Sequence, residues 1–173
     1  MTVISDLNEV EYHPYYSRYI NKLDESTGLI ESFQLALVEV VDFFNNIPSD
    51  LHLFRYEEGK WTIKEVFQHL IDTERIFMYR CFRIARNDKT VLADFDQSIY
   101  IQPSRANEKS IEVLIDEYQI SRANSIGLLS SLTVDDLKRV GKIQLGPMSS
   151  RAAAFTITGH EIWHMEIINK RYL

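Results

Sequence analysis

Apolar side chains recur at helical spacing in four long stretches of this chain. Between about Thr27 and Asn46, Leu29, Phe33, Leu37, Val40, Val41 and Phe44 share one face of a helix. Asn45-Asn46-Ile47-Pro48 ends that stretch. The second opens at Trp61-Thr62-Ile63-Lys64-Glu65, where Thr62 and Glu65 stand at capping-box spacing. Its stripe of Val66, Leu70, Phe77, Met78 and Cys81 fades near Asn87-Asp88. A linker of roughly twenty residues containing Pro103 follows, long enough to cross the end of a bundle and to line a site. The third stretch runs from about Glu108 to Ser131, with Ile111, Leu114, Tyr118, Leu129 and Leu132 on its stripe. Thr133 and Asp136 repeat the capping pattern ahead of a short turn, Val134–Val140. Gly141, Gly146 and Pro147 then mark a loop with room for a short hairpin at most. The fourth helix begins near Ser149 or Ser150 and runs almost to Leu173.

Glycine and proline number six and four, and most of them fall between these stretches. Gly127 and Gly159 are the exceptions, and each weakens its helix slightly. The tyrosine-rich segment 1–25 reads as irregular, with Pro14 allowing at most short helical pieces. Four long helices, no convincing strand and no internal repeat predict an all-α four-helix bundle. The long connection between helices two and three is its crossover, and the whole chain, 1–173, is expected to form a single domain.

Composition narrows the picture. Apolar residues make up 45% and charged residues 25%, as in an ordinary soluble globular chain. A net charge of −6 argues against a nucleic-acid partner. Cys81 is the only cysteine, so no intrachain disulfide can form, which suits a reducing compartment. The first residues lack a basic segment followed by an apolar run, and no apolar stretch reaches membrane-spanning length. The expectation is a soluble cytoplasmic protein.

Chemistry enters through three histidines. His160 and His164 lie one helical turn apart, on a seam with Ala153, Ile157, Ile167 and Ile168. Two imidazoles in a core are costly unless something satisfies them. A metal ion is one solution and a buried hydrogen-bond network is another. His69 shares a face with Val66, Thr73 and Ile76 on the second helix. If it converges with the other two, the three form a facial set with an open position, as in catalytic metal sites. Asp72 follows the same face and is a candidate to orient an imidazole or add a ligand, against a plain exposed acid. His13 and His52 fall in loops and receive no role, and Cys81 reads as a core thiol.

His160-Glu161-Ile162-Trp163-His164 also spells H-E-x-x-H, the zinc-protease motif in which Glu161 would be the general base. That reading ranks low. No histidine follows His164, so a third histidine ligand must come from upstream, which points to another fold.

Together these residues resemble the DinB/YfiT-like superfamily. The resemblance runs through FFNNIPSD, FRYEEGKWTIKEVFQHLIDTERIFMYRCFRIARND, LADFDQSIYIQ, LLSSLTVDDLKRVG and TGHEIWHMEIINKRYL. Trp61-Thr62 with His69, and the terminal GHEIWH, are its most specific parts. It implies a four-helix bundle with a mirror variant of up-and-down connections. It also implies a divalent metal, zinc or nickel, held by His69, His160 and His164, and a homodimer. Many members carry a second histidine just before the last ligand, where this chain has Trp163.

The resemblance leaves chemistry open, because fold does not fix function. Better understood relatives are transferases and isomerases that use low-molecular-weight thiols such as bacillithiol or mycothiol. The leading expectation is therefore a metal-dependent thiol S-transferase acting on a small electrophile. A metal-dependent hydrolase with Glu161 or Asp72 as base is the second reading, and a non-catalytic metal-binding stress-response protein the third. Phe95, Tyr100, Tyr15 and Tyr16 are candidates, by composition, to cover the site.

Overall fold

The computed structural model describes residues 2–173. The chain opens with three short 3-10 turns and a single-turn helix, α1 (Ser17–Ile20). It continues through α2 (Leu29–Asn45), α3 (Ile63–Ala85), α4 (Ser98–Ser104), α5 (Ile111–Ser130) and α6 (Val134–Lys138). A hairpin, β1 (Val140–Ile143) and β2 (Gly146–Ser149), leads into α7 (Ser150–Arg171). The four apolar stretches are thus the four long helices, and the protein is mostly helical.

The helix starts are written in the local sequence. Thr62 Oγ1 accepts from the Glu65 amide at 3.1 Å, and Glu65 Oε2 accepts from the Thr62 amide at 2.8 Å. This closes the capping box on two otherwise orphaned donors. Thr133 closes the same box with Asp136 at α6, while Ser110 and Ser149 each accept a single amide bond at the starts of α5 and α7. The linker has helical structure of its own. It holds α4 and a 3-10 turn, Ala106–Glu108, seated on α3 through buried Ile101 and Ala106. A helix of seven residues is too short to print a periodicity, and Pro103 near its end hides it further.

Among the long helices, α2 packs on α5 and α7, and α3 packs on α5 and α7. The first half of α7 is buried on every side, from Ser150 to Glu161. Small residues allow this: Ala152, Ala153 and Ala154 are all fully covered. Gly159 is the extreme case. A Cβ there would lie 2.1 Å from the Tyr19 carbonyl oxygen, so the backbone of α1 rests directly on α7 at this point.

The hairpin pairs Val140 with Ser149 and Ile143 with Gly146, which has φ +147°. Tyr12 bridges Met148 on one side and Leu92 bridges Ile143 on the other. The hairpin therefore ties the N-terminal segment and the linker to the same end of the bundle. The apolar core falls into two clusters. One holds Phe33, Phe77, Cys81, Met148 and Phe155. The other holds Phe44, Phe67, Leu70, Leu114, Tyr118 and Ile168. On α7 His160 and His164 fall between the buried members of the two clusters, and on α3 His69 sits beside Phe67 and Leu70 of the second. No described helix is long and apolar enough to cross a membrane.

Candidate metal centre

His69 lies in the second turn of α3, just inside the Thr62 cap, and His160 and His164 lie one turn apart on α7. Packing of α3 on α7 brings all three together. Their ring centroids are 4.9 Å (His69–His160), 5.0 Å (His69–His164) and 4.4 Å (His160–His164) apart. One nitrogen from each ring falls within 4.8 Å of the others. The Nε2 atoms of His69 and His160 are 3.1 Å apart. Two nitrogens bound to one tetrahedral zinc at about 2.0–2.1 Å lie about 3.4 Å from each other.

Thr73, one turn beyond His69, places its hydroxyl oxygen 3.3 Å from His69 Nδ1. A proton on Nδ1 can donate to that oxygen, which leaves the Nε2 lone pair facing His160. Each imidazole also has an aromatic wall. Trp61 packs against His69, Tyr19 against His160 and Trp163 against His164, with centroids 5.0, 5.0 and 4.8 Å apart.

Burial sets the protonation. It pushes His69 down to about 4. His160 and His164 are driven well below the usual histidine range, by burial first and then by the neighbouring imidazoles. Three neutral rings with converging nitrogens cannot satisfy one another, because each neutral ring has a single N–H. A divalent cation accepts all three lone pairs. Donor type, protonation and spacing thus fit a divalent ion, and the three histidines could hold one.

Beside the triad a cavity of about 430 Å³ opens, lined by His160, Thr73, Phe77, Tyr19 and Arg80 among others. Three of the expected covering residues, Tyr15, Tyr16 and Phe95, do line it. Tyr100 does not: it faces a separate groove with Asp72.

The two acidic candidates also point elsewhere. Asp72 accepts from Gln68 Nε2 at 3.1 Å and from Arg75 Nη1 at 3.1 Å, on the far side of α3 from the cavity lining. The residue that meets His69 Nδ1 is Thr73, not Asp72. Asp72 is a correction to the reading from spacing: three residues advance a helix by about 300°, enough to swing it off the inner face. Glu161 is fully buried and pairs with Arg122, which also holds Glu74 through 3.0 and 3.1 Å bonds. Burial pushes the Glu161 carboxyl up to about 7, with Arg122 opposing and Glu74 adding to the rise. Neither acid stands among the residues that line the cavity.

Sequence reasoning missed Tyr19, Arg80, and the Glu74–Arg122–Glu161 cluster. Arg80 had a signal. His69, Thr73, Phe77 and Arg80 follow one another at four, four and three residues, so a charged residue continues an inner face. Cys81 lies at 0% exposure with its sulfur 3.2 Å from Ser150 Oγ, and burial pushes the thiol up to about 11. It is not a nucleophile at neutral pH.

Comparison with known proteins agrees with this architecture. The profile of the DinB superfamily matches residues 32–168, a span that contains all three histidines. No curated protein matches the sequence. Among solved structures, YfiT from Bacillus subtilis, "a probable metal-dependent hydrolase with an unusual four-helix bundle topology", superposes with a TM-score of 0.74 at 16% identity. That match covers 92% of this chain and 91% of YfiT. The mycothiol-dependent maleylpyruvate isomerase superposes with a TM-score of 0.65 at 13% identity. It covers 96% of this chain but only 62% of the isomerase. At these identities the likeness is one of fold.

Proposed function

The chain belongs to the DinB superfamily, and on that premise we propose that it is a metal-dependent thiol S-transferase whose ion is held by His69, His160 and His164. The observation that carries this choice is the orientation of the two acids. Asp72 is turned to Gln68 and Arg75, and Glu161 to Arg122, so neither is placed to serve as a general base at the histidines. Hydrolysis by general-base catalysis calls for a base within hydrogen-bond reach of the attacking water, so here it would depend on metal-bound hydroxide alone. Thiol transfer needs no such base, because a thiol beside a cation ionises near neutral pH and sulfur is the better nucleophile.

A divalent ion bound by three imidazoles supplies positive charge and an open position, at which a thiol or water loses its proton near pH 7. The protein's own groups do the rest. Thr73 fixes the ring of His69. Trp61, Tyr19 and Trp163 shield the imidazoles from water. The aromatic lining of the cavity, Tyr15, Tyr16, Phe77 and Phe95, takes the organic body of the electrophile. Zinc and nickel both suit three neutral imidazoles. We also read residues 86–110 as the crossover that carries the chain over the bundle end between the second and third long helices. The fold shared with a mycothiol-dependent isomerase supports the thiol reading, and the fold shared with YfiT supports hydrolysis as the second one.

The test has two stages. Elemental analysis should find near one metal equivalent in the wild type and almost none in His160→Ala. The metal-loaded protein is then given bacillithiol and 1-chloro-2,4-dinitrobenzene. The thiolate sulfur forms the new C–S bond, chloride leaves, and the thiol proton passes to buffer. Conjugate should form with thiol present and His160→Ala should lose the enhancement. Ester turnover by the metal-loaded protein with no thiol present would sink the transferase reading in favour of hydrolysis.

A further inference from the structure

The cavity beside the histidines contains one cation whose hydrogen bonds are incomplete. Arg80 is only 2% exposed. Its Nη2 donates to the Ala93 carbonyl at 3.0 Å and to Asp94 Oδ1 at 3.1 Å. Its Nε is buried and has no partner among the described residues. A desolvated guanidinium N–H left unpaired is costly, and charged donors more so than neutral ones. Salt-bridging to Asp94 does not remove the cost, since that carboxylate stands at the rim with 43% of its side chain exposed. Meanwhile the guanidinium lies over the Phe77 ring at 4.9 Å and near the Phe95 ring at 5.8 Å. These contacts hold its plane in place.

We propose that Arg80 is the anion-recognition residue of this cavity, and that its ligand is a small carboxylate with an apolar body. The inference rests on the reading of the cavity as the substrate site. Guanidinium forks match carboxylates and phosphates alike. Charge selects between them. Asp94 and Asp96 line the same cavity as the single arginine, so a dianionic phosphate meets repulsion that a monoanion largely avoids. The lining selects the body, because Tyr16, Tyr19, Phe77 and Phe95 offer it ring surface. Geometry sets the reach. Arg80 is eleven residues beyond His69 on α3, about 16 Å along the axis, with Thr73 and Phe77 as the wall between. A carboxylate held at Arg80 would direct the rest of the molecule along that wall toward the histidines.

The experiment is calorimetric titration of the full chain with phenylacetate, 3-phenylpropionate and 4-phenylbutyrate, each against its neutral amide. It is run on chelator-treated protein and on zinc-loaded protein. For at least one length the metal-free wild type should prefer the acid over the amide ten-fold or more. Arg80→Gln, checked for helicity by circular dichroism, should erase the preference, and Arg80→Lys should keep part of it. Asp94→Asn should bind the acid several-fold more tightly, because it removes the competing carboxylate and leaves Arg80 in place. If Arg80→Gln does not fold, the Asp94→Asn result decides. No acid preference at any length, a preference that survives Arg80→Gln, unchanged affinity in Asp94→Asn, or a preference seen only with zinc bound would each overturn the assignment. Metal content of the same samples reports on the three-histidine reading separately.

Discussion

On α3, His69 and Glu74 are five residues apart, and on α7, His160 and Glu161 are neighbours. Each helix thereby contributes to two buried polar clusters at once. The Glu74–Arg122–Glu161 cluster is paired within the protein, with only Glu161 Oε2 left without a hydrogen bond among the described residues. Its guanidinium, fully buried, pairs with both carboxylates, donates to the Phe33 carbonyl at 3.2 Å and lies 4.6 Å over the Phe33 ring. The histidine cluster is open. Its groups are neutral, their nitrogens converge, and a cavity adjoins them. A buried charge network can be satisfied by the protein alone, whereas converging lone pairs call for a cation from outside. The first cluster therefore reads as scaffold and the second as site, although they share both helices.

The harshest test of that contrast is Arg122→Met. It strands two buried carboxylates, and should cost about 3–5 kcal/mol in urea-melt stability. A loss below about 1 kcal/mol would mean the cluster is not what holds α3, α5 and α7 together.

Metal should separate the clusters next. Free zinc at a thousand times Kd should stabilise the wild type by about 4 kcal/mol in thermal melts. His160→Ala should lose nearly all of that gain. In the metal-free state the same substitution should cost far less than Arg122→Met, since it relieves crowded imidazoles rather than stranding charges. A large metal-free loss would place His160 in the scaffold.

Gly159→Ala probes the point where the two functions meet. The added methyl must displace the Tyr19 carbonyl, at a cost of about 1–3 kcal/mol. Because Tyr19 packs edge-on against His160, zinc affinity should fall as well. Unchanged stability and affinity would show that α1 moves away freely.

An ion pair nearer the surface gives the smallest effect. Glu11 pairs with Arg151 in the first turn of α7, with a 2.9 Å bond from Nε to Oε2. Burial raises the Glu11 carboxyl, but bonds from Arg151, Ser149 and the Asn8 backbone outweigh it and hold the group below its ordinary 4.5. A depressed acid contributes stability above its unfolded value and loses it as pH falls through the folded one. The wild type should therefore lose a little stability on acidification below about pH 4.5 that Glu11→Gln does not lose. Parallel pH profiles for the two proteins would show that the Glu11–Arg151 pair adds nothing to stability.

The long helices were legible because each buries one stripe, and a stripe at 3.6-residue period survives in the sequence. Thr62, Thr133 and Ser149 marked their starts because a cap is satisfied within three residues of itself, whereas the cap of α5, Ser110, was passed over for a start near Glu108. Helix α4 was not legible, since seven residues held by Ile101 alone leave no period to read. The three histidines stood out by type and spacing. Arg80 was marked only by continuing the His69–Thr73–Phe77 face, and Arg122 by nothing local that distinguishes a buried arginine from an exposed one.

What the sequence determined, then, is whatever is settled within a few residues: helix positions, caps, the imidazole pair one turn apart on α7, and a third imidazole on α3. Thr73 behind His69, and Asp72 with Gln68 and Arg75, are also local, set within one turn of α3. Tertiary structure decided which polar groups meet between helices: it sent Glu161 to Arg122 instead of the histidines and brought Arg80 to the cavity wall. The physical reason is that burial and pairing of a charge depend on which helix packs across from it. That partner lies 39 residues away for Arg122 with Glu161 and 91 for His69 with His160, beyond anything a local pattern encodes.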